Sequence, residues 1–301
     1  MNKKILGVFA GILAGLLWGA WMPITKYGIS SSLNINDLIF LRFFVAAIIA
    51  LPFLFKYGFI EPSKSYTKTA TLVFSSGIGY VVIASFGFAY APASYASTLP
   101  VSMIFFSTII SLIIYRKKFT LKIILSLLFI LFGFIMFLMQ FSLGKDISII
   151  IGLVLFTLAG LSFAIYNVVA KHWSIPPFHA VSLVSFYSFI IFFPWYLQSE
   201  KYIFEASAKD IIFQMFYQGI LVSFVALLAF SYAGQKLGAT KAALFAILMP
   251  VLGVLLSRIF LHEDISNEIY FTLFLMIVGM AIGVAPSKNT KIPTEKIIDK
   301  L

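Results

Sequence analysis

The sequence has no cysteine among its 301 residues. Disulfides, thiolate nucleophiles, zinc-thiolate sites and iron-sulfur clusters are thereby excluded. Charge is almost as scarce: Asp, Glu, Lys and Arg make up 11% of the chain, against roughly 25% in ordinary soluble domains, which leaves no room for a large solvated catalytic domain. The three histidines, His172, His179 and His262, lack metal-ligand spacing. Acids number 11, and none falls deep in an apolar stretch, so the paired carboxylates of general acid-base chemistry are missing there. There is no Gly-x-Ser-x-Gly elbow, no His-Glu-x-x-His pair and no phosphate-binding loop. No catalytic residue, metal or cofactor is expected, and the chain does not read as an enzyme.

What is present is apolar: 61% of residues are hydrophobic and mean hydropathy is +1.03. A crossing takes about 20 apolar residues as helix, and a charge at the bilayer centre costs at least about 2.5–3.5 kcal/mol. Stretches free of charge therefore bound the crossings. They predict an all-α membrane protein of ten transmembrane helices, near 5–29, 38–57, 69–91, 93–115, 121–139, 147–170, 178–198, 210–233, 239–261 and 268–285. The long uncharged run 69–115 is divided at Ala91-Pro92-Ala93-Ser94, where proline and small residues suit a tight connection. Ile5 to Thr25 follows Lys3 and Lys4 without a small-residue cleavage site, and reads as a retained first helix.

The net charge of +11 would point a soluble protein toward nucleic acid; here it reports orientation in the bilayer, and no nucleic-acid partner is expected. With the N-terminus inside, Lys56, Lys64, Lys68, Arg116, Lys117, Lys118, Lys171, Lys236 and Lys241 fall on the cytoplasmic side, while Asp37, Glu200, Glu205, Asp210, Glu263, Asp264 and Glu268 fall outside. The expected setting is a bacterial-type inner membrane with both termini cytoplasmic. Five helices per half require the halves to be inverted. Residues 1–144 form the first repeat, 145–286 the second and 287–301 a polar cytoplasmic tail. Phe88-Ala89-Tyr90-Ala91 recurs as Phe230-Ser231-Tyr232-Ala233, and Pro52 and Pro194 close equivalent helices. Inverted repeats of this kind point to a secondary transporter with a site near the midplane.

Several motifs, in order, carry a family resemblance. They are Leu16-Leu17-Trp18-Gly19 with Pro23, Leu41-Arg42-Phe43-Phe44-Val45-Ala46-Ala47 leading to Pro52, and Tyr232 before Gly238-Ala239-Thr240-Lys241-Ala242-Ala243-Leu244. Met249-Pro250-Val251, Leu261-His262-Glu263-Asp264-Ile265-Ser266, Gly279 and Gly283 complete the set. The chain resembles the ten-helix EamA-type members of the drug/metabolite transporter superfamily over nearly its whole length. It departs from that pattern after the fourth helix, where Arg116-Lys117-Lys118 replaces the usual acid. The resemblance implies alternating access to a cavity lined by helices one, three, four, six, eight and nine, with a small metabolite as cargo.

Candidate binding residues are the polar and aromatic side chains at depth: Trp18, Tyr80, Ser102, Tyr166, Asn167, Tyr187 and Gln218, each also able to serve only as an interhelical hydrogen bond. Arg42 lies about 7.5 Å below the end of its helix. It has two readings: a bidentate grip on a substrate carboxylate, or a structural role in which it snorkels, pairs with Asp37 or caps carbonyls. Lys26 and Arg258 read as interfacial, and Trp21, Tyr27, Trp195 and Tyr196 as an aromatic belt. Pro100 and Pro250, on equivalent helices, are candidate gating residues, and Gly11, Gly15 and Gly19 a close-packing face. The expected cargo is a small zwitterionic or anionic, amino-acid-like solute carried by a monomer. A cation or drug carrier with an aromatic cage and a non-transport lipid-handling protein are the alternatives.

Overall fold

The computed structural model describes residues 3–116, 118–139, 147–237, 242 and 244–284. The polar tail lies outside the described residues. The first apolar run becomes α1 (Lys3–Ser31), about 43 Å long at 1.5 Å per residue and so longer than the roughly 30 Å hydrocarbon core. α2 (Ile35–Tyr57) follows, and its start is fixed by a reciprocal cap: Asp37 N donates to the Asn34 side chain and Asn34 N to the Asp37 carboxylate. Next come α3 (Tyr66–Ser76) and α4 (Ile78–Tyr90), a 3-10 turn at Ala93–Ser97 running into α5 (Thr98–Ile114), and α6 (Leu121–Met139). The second half has α7 (Ile147–His172), α8 (Pro177–Gln198), α9 (Ala208–Gln214), a π-helical stretch at Met215–Val225 and α10 (Ala226–Leu237). A 3-10 turn at Leu244–Ile247, α11 (Leu248–Leu261) and α12 (Asn267–Val284) end it. Among the described residues there is no strand, eight helical stretches are long and apolar enough to cross a membrane, and two more, Leu121–Phe137 and Asn267–Gly283, are apolar but shorter.

Two expected helices are interrupted. The third breaks at Gly77, where ψ is −114° and a Cβ would strike Ser188 Oγ across the contact with α8. The eighth adopts π geometry from Met215 to Val225, a form concentrated at functional sites.

The packing repeats itself. α6 lies on α12 and α2 on α8; α1 packs on α10 and α11, and α7 on α4 and α5. A Cβ at Gly133 would stand 3.1 Å from Thr272 O and 2.9 Å from Met276 Cγ; one at Gly279 would stand 2.9 Å from Ser126 O and 2.8 Å from Ile130 Cγ1. Such a reciprocal contact is the mark of a two-fold relation. As numbers rise along α6 from Ser126, which bonds Gly279 O, to Gly133, they fall along α12 from Gly279 to Thr272. These helices are antiparallel, and the two halves are inverted.

Loop contacts sort the ends into two faces. On one, His179 bonds Gly58 O, Lys68 lies over Trp173 and Tyr115 meets His172. On the other, Asn34 bonds Glu200 O, and Ser32 bonds Asp210. On the first face the α2–α3 connection is built around Glu61, which accepts from Ser63 N and Oγ and from Ser65 N. Burial alone would raise its carboxyl pKa, but those donors and nearby Lys68 outweigh it and hold the pKa below the ordinary glutamate value.

Candidate functional site

Between the halves lies a cavity of about 620 Å³, within the range of small-molecule sites. Helical periodicity explains its walls. α1 contributes Trp18 and Trp21, α7 contributes Phe163, Tyr166, Asn167 and Ala170, and α10 contributes Leu227, Phe230 and Ser231; each set follows the three- and four-residue spacing of one helix face. Tyr80 enters from α4, Leu99 and Met103 from α5, and Met249 from α11, while α2 adds Arg42. The cavity extends to Lys171 and Ser174–Pro177, on the face that carries Gly58 and Trp173.

Lys171 stands where the cavity reaches the helix ends, and Arg42 is the cation set deep in this interior. Its Nη1 is buried with no hydrogen-bond partner, and its guanidinium carbon lies 5.5 Å from the Trp21 ring centroid. Asp37 does not answer it. The Asp37 carboxylate is already engaged by Asn34 N, Tyr202 N and the Tyr196 hydroxyl. The aromatic surface around Arg42 is continuous: Trp21 stacks on Tyr80 at 6.2 Å, Tyr80 meets Phe163 at 4.8 Å, and Phe163 meets Tyr166 at 5.5 Å. A guanidinium whose buried Nη1 lacks a partner is thus set against aromatic ring faces.

Of the residues singled out from sequence, Trp18, Arg42, Tyr80, Tyr166 and Asn167 lie together on the cavity wall. Trp18 also donates to Val222 O and packs against Phe230. Three are elsewhere. Ser102 donates to Leu99 O where α5 meets Gly160; Tyr187 donates to Phe59 O in the α2–α3 connection; Gln218 lies behind the wall, accepting from Trp21 Nε1 at 2.8 Å and donating to Thr25 Oγ1 at 3.0 Å. Trp21 departs from the belt expectation: it is 4% exposed and forms part of the wall. Tyr27 and Trp195 are exposed, whereas Tyr196 is buried on Asp37. Pro100 and Pro250 occupy matching places, each the third residue of a helix that continues from a 3-10 turn.

The end of the cavity away from Lys171 is clasped. Lys26 reaches from α1 to the last turn of α4, donating to Phe88 O at 2.6 Å and Ala91 O at 3.2 Å. Glu263, placed by a left-handed His262 (φ 53°) after α11, accepts from Ala93 N at 2.6 Å and Ser94 N at 2.9 Å. Cation at a helix C-terminus and anion at the next N-terminus match both dipoles. Lys26 is thus a clasp, not an interfacial anchor; Arg258, exposed and bonded to Tyr270, fits the surface.

One family model, that of the EamA-like transporter family, matches the chain twice, at residues 5–139 and 150–284. The chain belongs to the EamA-like transporter family. The two matched stretches are the two halves related by the packing above. Among relatives, this EamA-like chain is 26% identical over 308 residues to the uncharacterized transporter YoaV of Bacillus subtilis (strain 168), covering 97% of this chain and 100% of that one. A solved crystal structure shares its fold, with a TM-score of 0.63 over 92% of this chain and 95% of the other at 15% identity. The family assignment makes this a multi-pass membrane transporter. Reading this EamA-like sequence for buried charges found Arg42, but Trp21 and the Lys26–Glu263 clasp were missed. The available signal was the Leu261-His262-Glu263-Asp264 motif, whose acid has no counterpart at Arg116-Lys117-Lys118.

Proposed function

We propose that this chain is a secondary transporter, not an enzyme, that carries a small zwitterionic or anionic organic solute, amino-acid-like in size, through ten crossings by alternating access. The observation that carries the reading is Arg42, whose buried Nη1 has no partner in an aromatic-walled cavity. A carboxylate would meet the guanidinium, the rings would take the apolar body, and Asn167 and Ser231 would serve polar groups at the wall. Lys171 at the mouth adds attraction for anions.

The lysine-rich connections share the face to which the cavity extends, and the acids Glu200, Asp210 and Glu263 share the clasped one. By the positive-inside rule the cavity therefore opens to the cytoplasm of a bacterial-type inner membrane, with both termini on that side. Release of the Lys26–Glu263 clasp, with bending at Pro100 and Pro250, would open the other face. A monomer holds the whole cavity. The lipid-handling alternative calls for an apolar interior, and a cage for organic cations calls for no fixed cation inside it; Arg42 and Lys171 argue against both.

Counterflow in proteoliposomes tests the reading. Vesicles preloaded with a mixed metabolite pool should accumulate a labelled carboxylate-bearing solute over empty vesicles, and Arg42→Gln should abolish the accumulation with the fold intact. Accumulation of organic cations alone would overturn it.

A further inference from the structure

Arg42 faces two spaces. Beside the main cavity lies a side chamber of about 90 Å³, lined by Arg42, by the hydroxyl-bearing Ser76, Ser185 and Ser223, and by carbon surfaces such as Val81 and Val181. At about 30 Å³ of liquid volume per water, it has room for a small ion with one or two waters. Its lining carries the Arg42 guanidinium, the hydroxyl-bearing residues Ser76, Tyr166, Ser185 and Ser223 and the indole of Trp18, and among the described residues it contains no carboxylate. The Ser223 hydroxyl donates to Gln218 O; Ser76, Ser185 and Tyr166 are the other hydroxyl-bearing residues on the chamber wall with Arg42. Arg42, Trp18, Phe163, Tyr166, Val222 and Leu227 line both spaces, so the chamber adjoins the cavity.

An isolated cation within the bilayer is costly, and an empty carrier must change conformation with Arg42 still in place. We propose that the side chamber binds a small inorganic monoanion of the halide class, held by Arg42 and the hydroxyls of Ser76 and Ser185, that neutralises the guanidinium whenever no carboxylate solute is bound. The inference rests on the reading of Arg42 as an anion receptor, and adds to it a second ligand and an exchange mode. Halide and carboxylate compete for one guanidinium, so each turnover carries a carboxylate one way and a halide the other. Halides are always present in solution, and the chamber admits them where it is too small for an organic body.

The test uses the full-length chain in proteoliposomes with methanesulfonate as the replacement anion. Vesicles preloaded with chloride should accumulate labelled chloride by counterflow, and an outward chloride gradient should drive uptake of a carboxylate solute. Val181→Phe, which fills the chamber from its apolar wall, should abolish chloride counterflow while carboxylate-carboxylate counterflow persists. Ser185→Ala adds no bulk and should weaken chloride about tenfold, the loss of one hydrogen bond to a charged group. Carboxylate counterflow in the wild type without chloride counterflow would overturn the chamber and leave the transport reading standing. Chloride counterflow without any carboxylate counterflow would overturn the carboxylate reading instead. Chloride counterflow unchanged in both Val181→Phe and Ser185→Ala would remove the ion from this chamber.

Discussion

Arg42 and Trp21 work as a pair, and Gln218 sets the pair's geometry. Gln218 accepts the indole N–H at 2.8 Å, which fixes the ring over which the guanidinium lies. Trp21→Phe keeps an aromatic surface and deletes that donor, leaving the buried Gln218 oxygen unpaired at a cost of about 1–3 kcal/mol. A fall in Tm of about 2–6 °C should follow in thermal melts of the purified protein, with weaker solute affinity in counterflow. A different chemistry governs Glu61. Its folded carboxyl titrates below its unfolded counterpart, so its stabilisation is complete above the unfolded value of about 4.3 and is lost as pH falls through the lower folded value. Glu61→Gln should therefore lower Tm at pH 7, and the difference from wild type should shrink at acid pH. Trp18, Arg42, Tyr80, Tyr166 and Asn167 were legible as wall residues because depth along an apolar run can be counted. Trp21 was not, because counting gives depth and not the face a helix turns inward. Ser102, Tyr187 and Gln218 have depth but point at carbonyls or at other side chains, which only packing reveals.

Helix pairs meet where glycines allow it. Gly15 on α1 and Gly160 on α7 hold comparable places in the two halves: a Cβ at the first would stand 2.9 Å from Phe245 O, and at the second 2.8 Å from Leu99 O. Both neighbours are backbone and cannot rotate away. Gly160→Leu should push α7 off α5, destabilising by about 1–3 kcal/mol; Gly15→Leu should do the same to α1 and α11. Melts and monodispersity in detergent measure both. Most spans were legible as uncharged runs with prolines and small residues at their ends. The break at Gly77 was not, because it comes from the approach of Ser188, far along the sequence. The π stretch at Met215–Val225 leaves no mark in an apolar run either; it coincides with hydrogen bonds from Trp21 to Gln218 and from Tyr217 to Leu17 O, partners set by the second half docking on α1.

Among the described residues the cavity is clasped at one face and extends to the other, and the charges differ accordingly. Glu263 and Lys26 clasp the 3-10 turn before α5 and the end of α4, whereas the equivalent helix end on the other face carries Arg116 and Lys118. The inversion was expected from five crossings per half and agrees with the antiparallel contact of α6 and α12, but the clasped face was not legible, since that depends on a carboxylate meeting two amides. A chain with no cysteine lets a single introduced thiol report on this directly. Ser94→Cys, buried at the clasp, should react slowly with a membrane-impermeant maleimide, and Glu263→Gln should speed the reaction about tenfold by weakening charge-assisted hydrogen bonds. Equal rates would mean that the clasp does not hold the face shut. In the proposed function the interior receives a carboxylate at Arg42. The most direct measurement of this is the thermal stability of the purified protein with three ligands sharing one aromatic body and ending in a carboxylate, a carboxamide or an ammonium. At about 100 times Kd a ligand stabilises by about 2.7 kcal/mol. Tm should rise with the carboxylate alone, and not in Arg42→Gln; a rise with the ammonium ligand, or one that survives Arg42→Gln, would contradict carboxylate binding at Arg42.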